Sequence, residues 1–312
     1  MKQISPAEYE RQFFDCADAL VCVTECADLT LPTRAARSHK YSCGRALILA
    51  GAEGYSGAPA LAANACERSG AGLTQVVVPR SIYPIVAGKC DGAVVTPTEA
   101  DENGGFASSA VDIVLPLLEK ADACLIGPGL GRGKGAEALV THVLRHVSCP
   151  VVVDADALTI LGRHLWLLDQ CRAPLILTPH EGEFRRIGGD LSDGRFSAAL
   201  AFAKAHRDVV LALKGFGTLV CCNADLYVNP TGSAAMAKGG TGDVLAGMIC
   251  ALLAQGTEPL KAAQTAVYLH GRAGDLAAEE TGPLSLAPSD LIRFLPAAFR
   301  ALQRTNAPSF SD

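Results

Sequence analysis

The segment Lys238-Gly239-Gly240-Thr241-Gly242-Asp243 gathers several residues able to act on a phosphoryl group. Three glycines and a threonine run into an apolar helical stretch ending near Ala254, which puts Asp243 in a helix first turn. Backbone N–H groups left free at a helix start stabilise developing negative charge, and glycines let the main chain approach that charge closely. Gly240 and Gly242 form the candidate anion hole, and Asp243 is the candidate base for an attacking hydroxyl. The segment alone leaves a plainer alternative open, because an aspartate in a first turn also serves as a simple cap.

Other stretches invite a ligand as well. Apolar runs end in Gly51-Ala52-Glu53-Gly54-Tyr55-Ser56-Gly57-Ala58, Gly127-Pro128-Gly129-Leu130-Gly131, Asp154-Ala155-Asp156, Thr178-Pro179-His180-Glu181-Gly182-Glu183 and Lys214-Gly215-Phe216-Gly217-Thr218. In open α/β sheets ligands collect at the carboxyl ends of strands, so five small or acid-bearing exits point to a nucleotide-sized site. Two common phosphate loops are excluded. At Gly133-Lys134 a Walker A pattern meets Pro128 at its first glycine and Gly135 after the lysine, and a dinucleotide fingerprint begun at Gly129 meets Lys134 where glycine is required. Lys214 is either a phosphate partner or a surface lysine, and His180 either contacts a ligand or caps a helix. Asp154 and Asp156 either orient magnesium or cap the helix that follows; magnesium is expected mostly on the phosphates of a donor nucleotide.

These residues need elements to position them. Runs rich in valine, isoleucine and leucine recur at Ala46–Ala50, Leu73–Val78, Ala123–Ile126, Val151–Val153, Leu175–Leu177 and Val209–Leu213. Most lack a period of two, as strands buried on both faces do. Helical patterns lie between them at Ala58–Arg68, Ala107–Leu118, Gly135–His146 and Ser197–His206. The alternation predicts one α/β domain, with helices on both sides of a mostly parallel sheet. A hairpin is predicted around Asn223-Ala224-Asp225, followed by helices over Gly242–Ala254, Leu260–Glu279 and Pro288–Ala301. Residues 1–38 read as a helical or partly disordered extension, 39–304 as the domain, and 305–312 as a polar tail.

Of the 312 residues, 49% are hydrophobic and 19% charged, with a net charge of −5. That balance gives no footprint for nucleic acid or an acidic membrane surface, and no apolar run approaches the ~18–20 residues of a membrane span. The twelve cysteines are scattered without zinc-ligand spacing, which predicts reduced thiols and a cytoplasmic protein.

Gly-x-Gly-Asp at a helix start, late in an α/β chain, resembles the ribokinase-like superfamily with its three-layer αβα fold. More narrowly, the chain resembles the ADP/ATP-dependent NAD(P)H-hydrate dehydratases over about three quarters of its length, from His39-Lys40 to Ala278. The resemblance is carried by Gly57-Ala58, Arg68-Ser69-Gly70-Ala71-Gly72-Leu73, Gly127–Gly131, Asp154–Leu158, Thr178–Glu183, Leu213-Lys214-Gly215 with Thr218, Met236–Gly247 and Gln255-Gly256, in that order. It implies a substrate that is the hydrated form of NADH or NADPH (NADHX or NADPHX). Its ring hydroxyl is phosphorylated from ADP or ATP, and phosphate is then eliminated. By that resemblance Ala58, Gly129, Gly131, His180 and Asp243 contact the hydrated nucleotide. Lys214, Gly215, Phe216, Gly217, Thr218 and Gly242 hold the donor, with Mg2+ on its phosphates.

Three positions depart from the family pattern: Tyr41 replaces a glycine, Ser233-Ala234-Ala235 replaces Asn-Pro-Gly, and Lys238 replaces threonine or serine. The first two bear on donor contacts, and Lys238 either adds charge beside the anion hole or points to solvent. The alternatives are a small-alcohol kinase like hydroxyethylthiazole kinase and a nucleotide sensor without turnover. Many members carry an N-terminal epimerase domain that the ~35 residues before His39 are too few to form. The expectation is therefore a separate epimerase as functional partner and handling of the S epimer, and resemblance to stand-alone bacterial forms implies a preference for ADP and a homo-oligomer such as a tetramer.

Overall fold

A computed structural model describes residues 20–26 and 29–305. Most of the predicted N-terminal extension and all but Thr305 of the polar tail lie outside the described residues. Ten strands are described: β1 (Leu20–Val23), β2 (Arg45–Leu49), β3 (Leu73–Pro79), β4 (Val94–Thr98), β5 (Ala123–Ile126), β6 (Val151–Val153), β7 (Leu175–Leu177), β8 (Val209–Leu213), β9 (Leu219–Cys222) and β10 (Asp225–Val228). They form one sheet in the order β1-β10-β9-β8-β7-β6-β5-β2-β3-β4. All neighbouring pairs are parallel except β8–β9 and β9–β10, the predicted hairpin region.

The helices are α1 (Gly57–Arg68), α2 (Tyr83–Ala87), α3 (Ala110–Leu118), α4 (Lys134–His146), α5 (Ala155–Leu161), α6 (Trp166–Gln170), α7 (Glu181–Arg186), α8 (Gly194–Ala205), α9 (Thr241–Ala254), α10 (Pro259–Thr281) and α11 (Pro288–Thr305). They sort onto two faces. Ala46 and Ile48 of β2, with Val76 and Val78 of β3, pack under α1, α9, α10 and α11. Leu47, Leu49 and Val77, from the same strands, pack under α3, α4, α5 and α8. Both faces of each central strand are thus apolar, which is why these strands read as runs without alternation. The result is the three-layer αβα architecture with a mostly parallel sheet.

Two strands escaped the sequence reading. Leu20–Val23, within the segment read as an extension, pairs parallel with Asp225–Val228. Its partner lies some two hundred residues away, so no local pattern announces the pairing. The other, β4, contains Pro97, which reads as a strand breaker; β4 lies at the sheet edge, where a missing N–H is tolerated. Among the described residues all cysteines are free thiols, and no helix is long and apolar enough to cross a membrane.

The chain runs β2 to β4 in one direction across the sheet and β5 to β8 in the other. Its topological switch point therefore falls between adjacent β2 and β5, where α/β folds open a crevice. The first helix packs closely on α9, and at their crossing a Cβ on Gly247 would overlap the Ala62 carbonyl. Gly247→Ala tests this packing. Alanine gains about 1 kcal/mol of helix propensity, but overpacking costs about 1–3 kcal/mol. The net expectation is a lower urea midpoint; a raised midpoint would show that the helices are free to separate.

Candidate active site

Helix α9 starts at a residue that only glycine fits. Gly240 has φ +98°, and a Cβ there would come within 2.8 Å of Leu61 Cδ1 and 3.0 Å of Pro288 Cγ. Val244 N–H donates to the Gly240 carbonyl, so the amides of Gly242 and Asp243 precede the first intrahelical bond. Thr241 Oγ1 donates to the Lys238 carbonyl at 3.0 Å and closes the turn from outside. Lys238 Nζ donates to the Leu284 carbonyl at 2.7 Å, so its charge is tied to the α10–α11 connection and does not face the anion hole.

Lys214 reaches the helix start from the end of β8. A Cβ on Gly242 would lie 3.3 Å from its Nζ. The ammonium pairs with Asp154 Oδ1 at 2.8 Å and lies 3.8 Å from Glu183 Oε2. Burial disfavours its charge, yet these two carboxylates outweigh burial and hold the ammonium above its ordinary range. The surface-lysine alternative is thereby excluded. Asp243 shifts upward, to about 7: burial acts first, the charge of Asp154 adds to it, and Lys214 offsets only part. A carboxylate that titrates near neutrality beside free amides has the properties of a general base.

A parallel bridge sets His180 beside Lys214, and Lys214 N–H donates to the Pro179 carbonyl at 2.8 Å. His180 caps α7: its Nδ1 accepts from the amides of Gly182 and Glu183, while Glu183 Oε2 accepts from His180 N–H. The capping alternative is therefore realised; the side chain is about half exposed, and its Nε2 lies 3.4 Å from Glu183 Oε1. Neither Asp154 nor Asp156 caps α5 through its side chain. Asp154 Oδ1 is taken by Lys214 and by Thr178 Oγ1 at 2.7 Å, and Asp156 accepts from the Gly131 amide and Arg132 Nε.

Ala58, Gly129 and Gly131 come together at the switch point between β2 and β5. The Gly51 amide donates to the Pro128 carbonyl across it, and a Cβ on Gly129 would lie 3.2 Å from that of Ala58. On the other side of α9 lies a cavity of about 450 Å³ lined by Lys214 through Thr218 and Gly242, as the sequence reading grouped them. Sequence reasoning missed Asn229, Thr231, Val267 and His270, which also line it. Their only signal is tertiary, since they arrive from β10 and α10. Burial drives the His270 imidazole down to about 4, so it is neutral, with Nε2–H donating to the Thr241 carbonyl at 2.9 Å. Ser233 and Ala234 line the same cavity, so that departure from the family pattern falls there. Tyr41 does not: it sits with Arg45, Gln75 and Lys120 near the start of β2, at the opposite end of the strand.

The sequence model of the NAD(P)H-hydrate dehydratase family matches residues 46–297. The chain belongs to this family. Its relatives include the bifunctional NAD(P)H-hydrate repair enzyme Nnr of Moorella thermoacetica, 39% identical over 88% of this chain and 52% of that protein. The chain thus spans about half the length of several curated relatives it matches. The ADP-dependent (S)-NAD(P)H-hydrate dehydratase of Bacillus subtilis is 36% identical over 88% of this chain and 95% of its own length. Among solved structures, a ribokinase-like superfamily protein from Enterococcus faecalis superposes with a TM-score of 0.79 at 25% identity, covering 90% of this chain and 96% of that one. The ADP/ATP-dependent NAD(P)H-hydrate dehydratase of Bacillus subtilis, co-crystallised with ATP and Mg2+, gives 0.76 at 32% identity over 90% and 99%. This dehydratase-family chain has the ribokinase-like fold.

The dehydratase-family site rests on one buried cation shared by several carboxylates. Lys214→Met should lower unfolding stability by about 2–4 kcal/mol, because Asp154 is left buried without its partner. Adding Asp154→Asn should recover most of that loss in a double-mutant cycle. Strict additivity in urea denaturation would show that the pair is not coupled.

Proposed function

We propose that the chain dehydrates the S epimer of hydrated NADH or NADPH to the reduced cofactor, driven by phosphoryl transfer from ADP or ATP. The observation that carries this reading is the neutral-range carboxyl of Asp243 beside Lys214 and the free amides of α9. Asp243 accepts the proton of the substrate hydroxyl. The hydroxyl oxygen attacks the terminal phosphorus of the donor, and the bond from that phosphorus to the departing nucleotide oxygen breaks. Lys214 and the Gly240–Gly242 turn hold the transferring group while its charge spreads over the outer oxygens. The ring nitrogen lone pair then expels phosphate, and the adjacent carbon gives up a proton to restore the double bond.

The donor occupies the cavity beside Lys214, Gly215, Phe216, Gly217, Thr218 and Gly242, and the hydrated nucleotide lies along Ala58, Gly129, Gly131 and His180. Magnesium neutralises charge on the donor phosphates when bound. A separate epimerase supplies the S form from the other epimer. The additional length of the bifunctional relatives supports such a pairing. A cytoplasmic homo-oligomer completes the proposal. The similarity to the Bacillus subtilis dehydratase over nearly its full length favours this reading over a small-alcohol kinase.

Purified protein given hydrated NADH with ADP or ATP should regain the near-ultraviolet absorbance of the reduced nicotinamide. Release of phosphate supports the lyase, and a stable phosphate ester would support the kinase instead. Asp243→Asn should cut turnover by about 10²–10⁴ while ADP binding persists. The base works deprotonated, so kcat/KM should rise with pH through about 7 and fall below it. A profile flat from pH 5 to 8 would remove Asp243 from this role.

A further inference from the structure

Asp154 occupies the cap position of α5, yet its side chain makes no capping bond. Its carboxylate is almost wholly buried, at 2% exposure, and Oδ1 receives both the Lys214 ammonium and the Thr178 hydroxyl. The backbone is committed to this placement. Ala155, the next residue, has φ +50°, a left-handed conformation that is unfavourable for a non-glycine residue. A Cβ on Gly127 would overlap the Asp154 carbonyl, so the strand β5 exit is shaped around the same residue. Strain and close approach both converge on a carboxylate that does not serve its own helix.

We propose that Asp154 is a positioning residue for phosphoryl transfer, its carboxylate anchoring the Lys214 ammonium beside Gly242 and setting a fixed negative charge against Asp243. The inference deepens the reading of Asp243 as base and rests on it. Asp154 and Asp243 compete for one cation. With Lys214 held by Asp154, the ammonium stays within reach of a phosphoryl group at Gly242 without forming a full ion pair with the base.

The groups facing Asp243 are few. Asp154 comes from the end of β6, Asp156 from α5, Glu183 from α7 and Lys214 from β8. The His270 imidazole, from α10, is neutral and bonded to Thr241, and the first turn of α1, Gly57 to Ala60, carries no titratable residue. Among the carboxylates, Asp154 raises Asp243 the most. Removing its charge has two consequences of the same sign: the repulsion is lost, and the freed ammonium turns toward Asp243. Both lower the pH at which Asp243 titrates and make it a weaker base.

The test is a ¹³C-carboxyl NMR titration of the full chain without nucleotide, with Asp243→Asn identifying the signal. The wild-type transition is expected near pH 7. Asp154→Asn should move it down by about one pH unit or more. Thr178→Val keeps the charge of Asp154 and should leave the transition within about half a unit of wild type. If Asp154→Asn does not fold, Asp154→Ser makes the same measurement with a smaller polar side chain. In kinetics, the acid limb of kcat/KM should shift in the same direction, with donor KM raised several-fold and hydrate KM little changed. A folded Asp154 variant whose transition stays at the wild-type pH overturns the proposal. The titration needs no turnover, so a chain inactive on hydrated NADH that still shows the shift would sink the dehydratase reading and leave the positioning role standing.

Discussion

The site depends on one buried contact, the ammonium of Lys214 against the carboxylate of Asp154. It joins the end of β8 to the end of β6 across β7, whose Thr178 donates to the same oxygen. Three neighbouring parallel strands therefore end in a single polar knot within an otherwise apolar sheet. A buried ion pair adds little net stability against an apolar alternative, because desolvation offsets the attraction. Its value here is geometric. It fixes where a positive charge stands relative to the first turn of α9, and a glycine at position 242 leaves the ammonium room to stand there.

The charge balance around that knot explains the behaviour of the base. Asp154, Glu183 and Asp243 share the field of one lysine, which pairs most closely with Asp154, while Asp156 pairs with Arg132. Burial and the neighbouring carboxylates push the half-buried Asp243 into the neutral range, and Lys214 offsets only part of that. A phosphate-bearing ligand would meet the same negative field. The amides of α9, Lys214 and a magnesium ion on the donor are the positive charges available to offset it. Acidic surroundings thus raise Asp243 toward neutrality and would leave the binding of a phosphate group to backbone dipoles and the one lysine.

The two halves of the site are held by different means. On one side, the ends of β8 and β10 with α9 and α10 enclose a cavity, and His270 links its wall to the first residue of α9. On the other side, the crevice between β2 and β5 is shaped by close backbone approach, with Gly129 against Ala58 and Tyr55. The Gly-Asp turn stands between them. A Lys238 tied to Leu284 and a Tyr41 at the opposite end of its strand leave this arrangement untouched, so two of the three departures from the family pattern fall outside the chemistry.

Much of this was legible without coordinates. Buried parallel strands need apolar residues on both faces, so the six central runs stood out, and the glycine-rich turn before Asp243 declared its helix start. The strand pairing of Leu20–Val23 was not legible, because a short edge strand takes its identity from a partner remote in sequence. Nor was β4, whose Pro97 is acceptable only because the strand is an edge. At the site, residue types alone gave Lys214, His180, Asp154 and Asp243 each a functional and a structural reading. Tertiary structure divided them: His180 caps α7, Asp154 forgoes its cap to hold Lys214, and Asp243 takes the field of Asp154 and Lys214. Composition and periodicity report how each segment meets the solvent and the core. Which charges share a low-dielectric pocket depends on strand order, and only the folded sheet sets that.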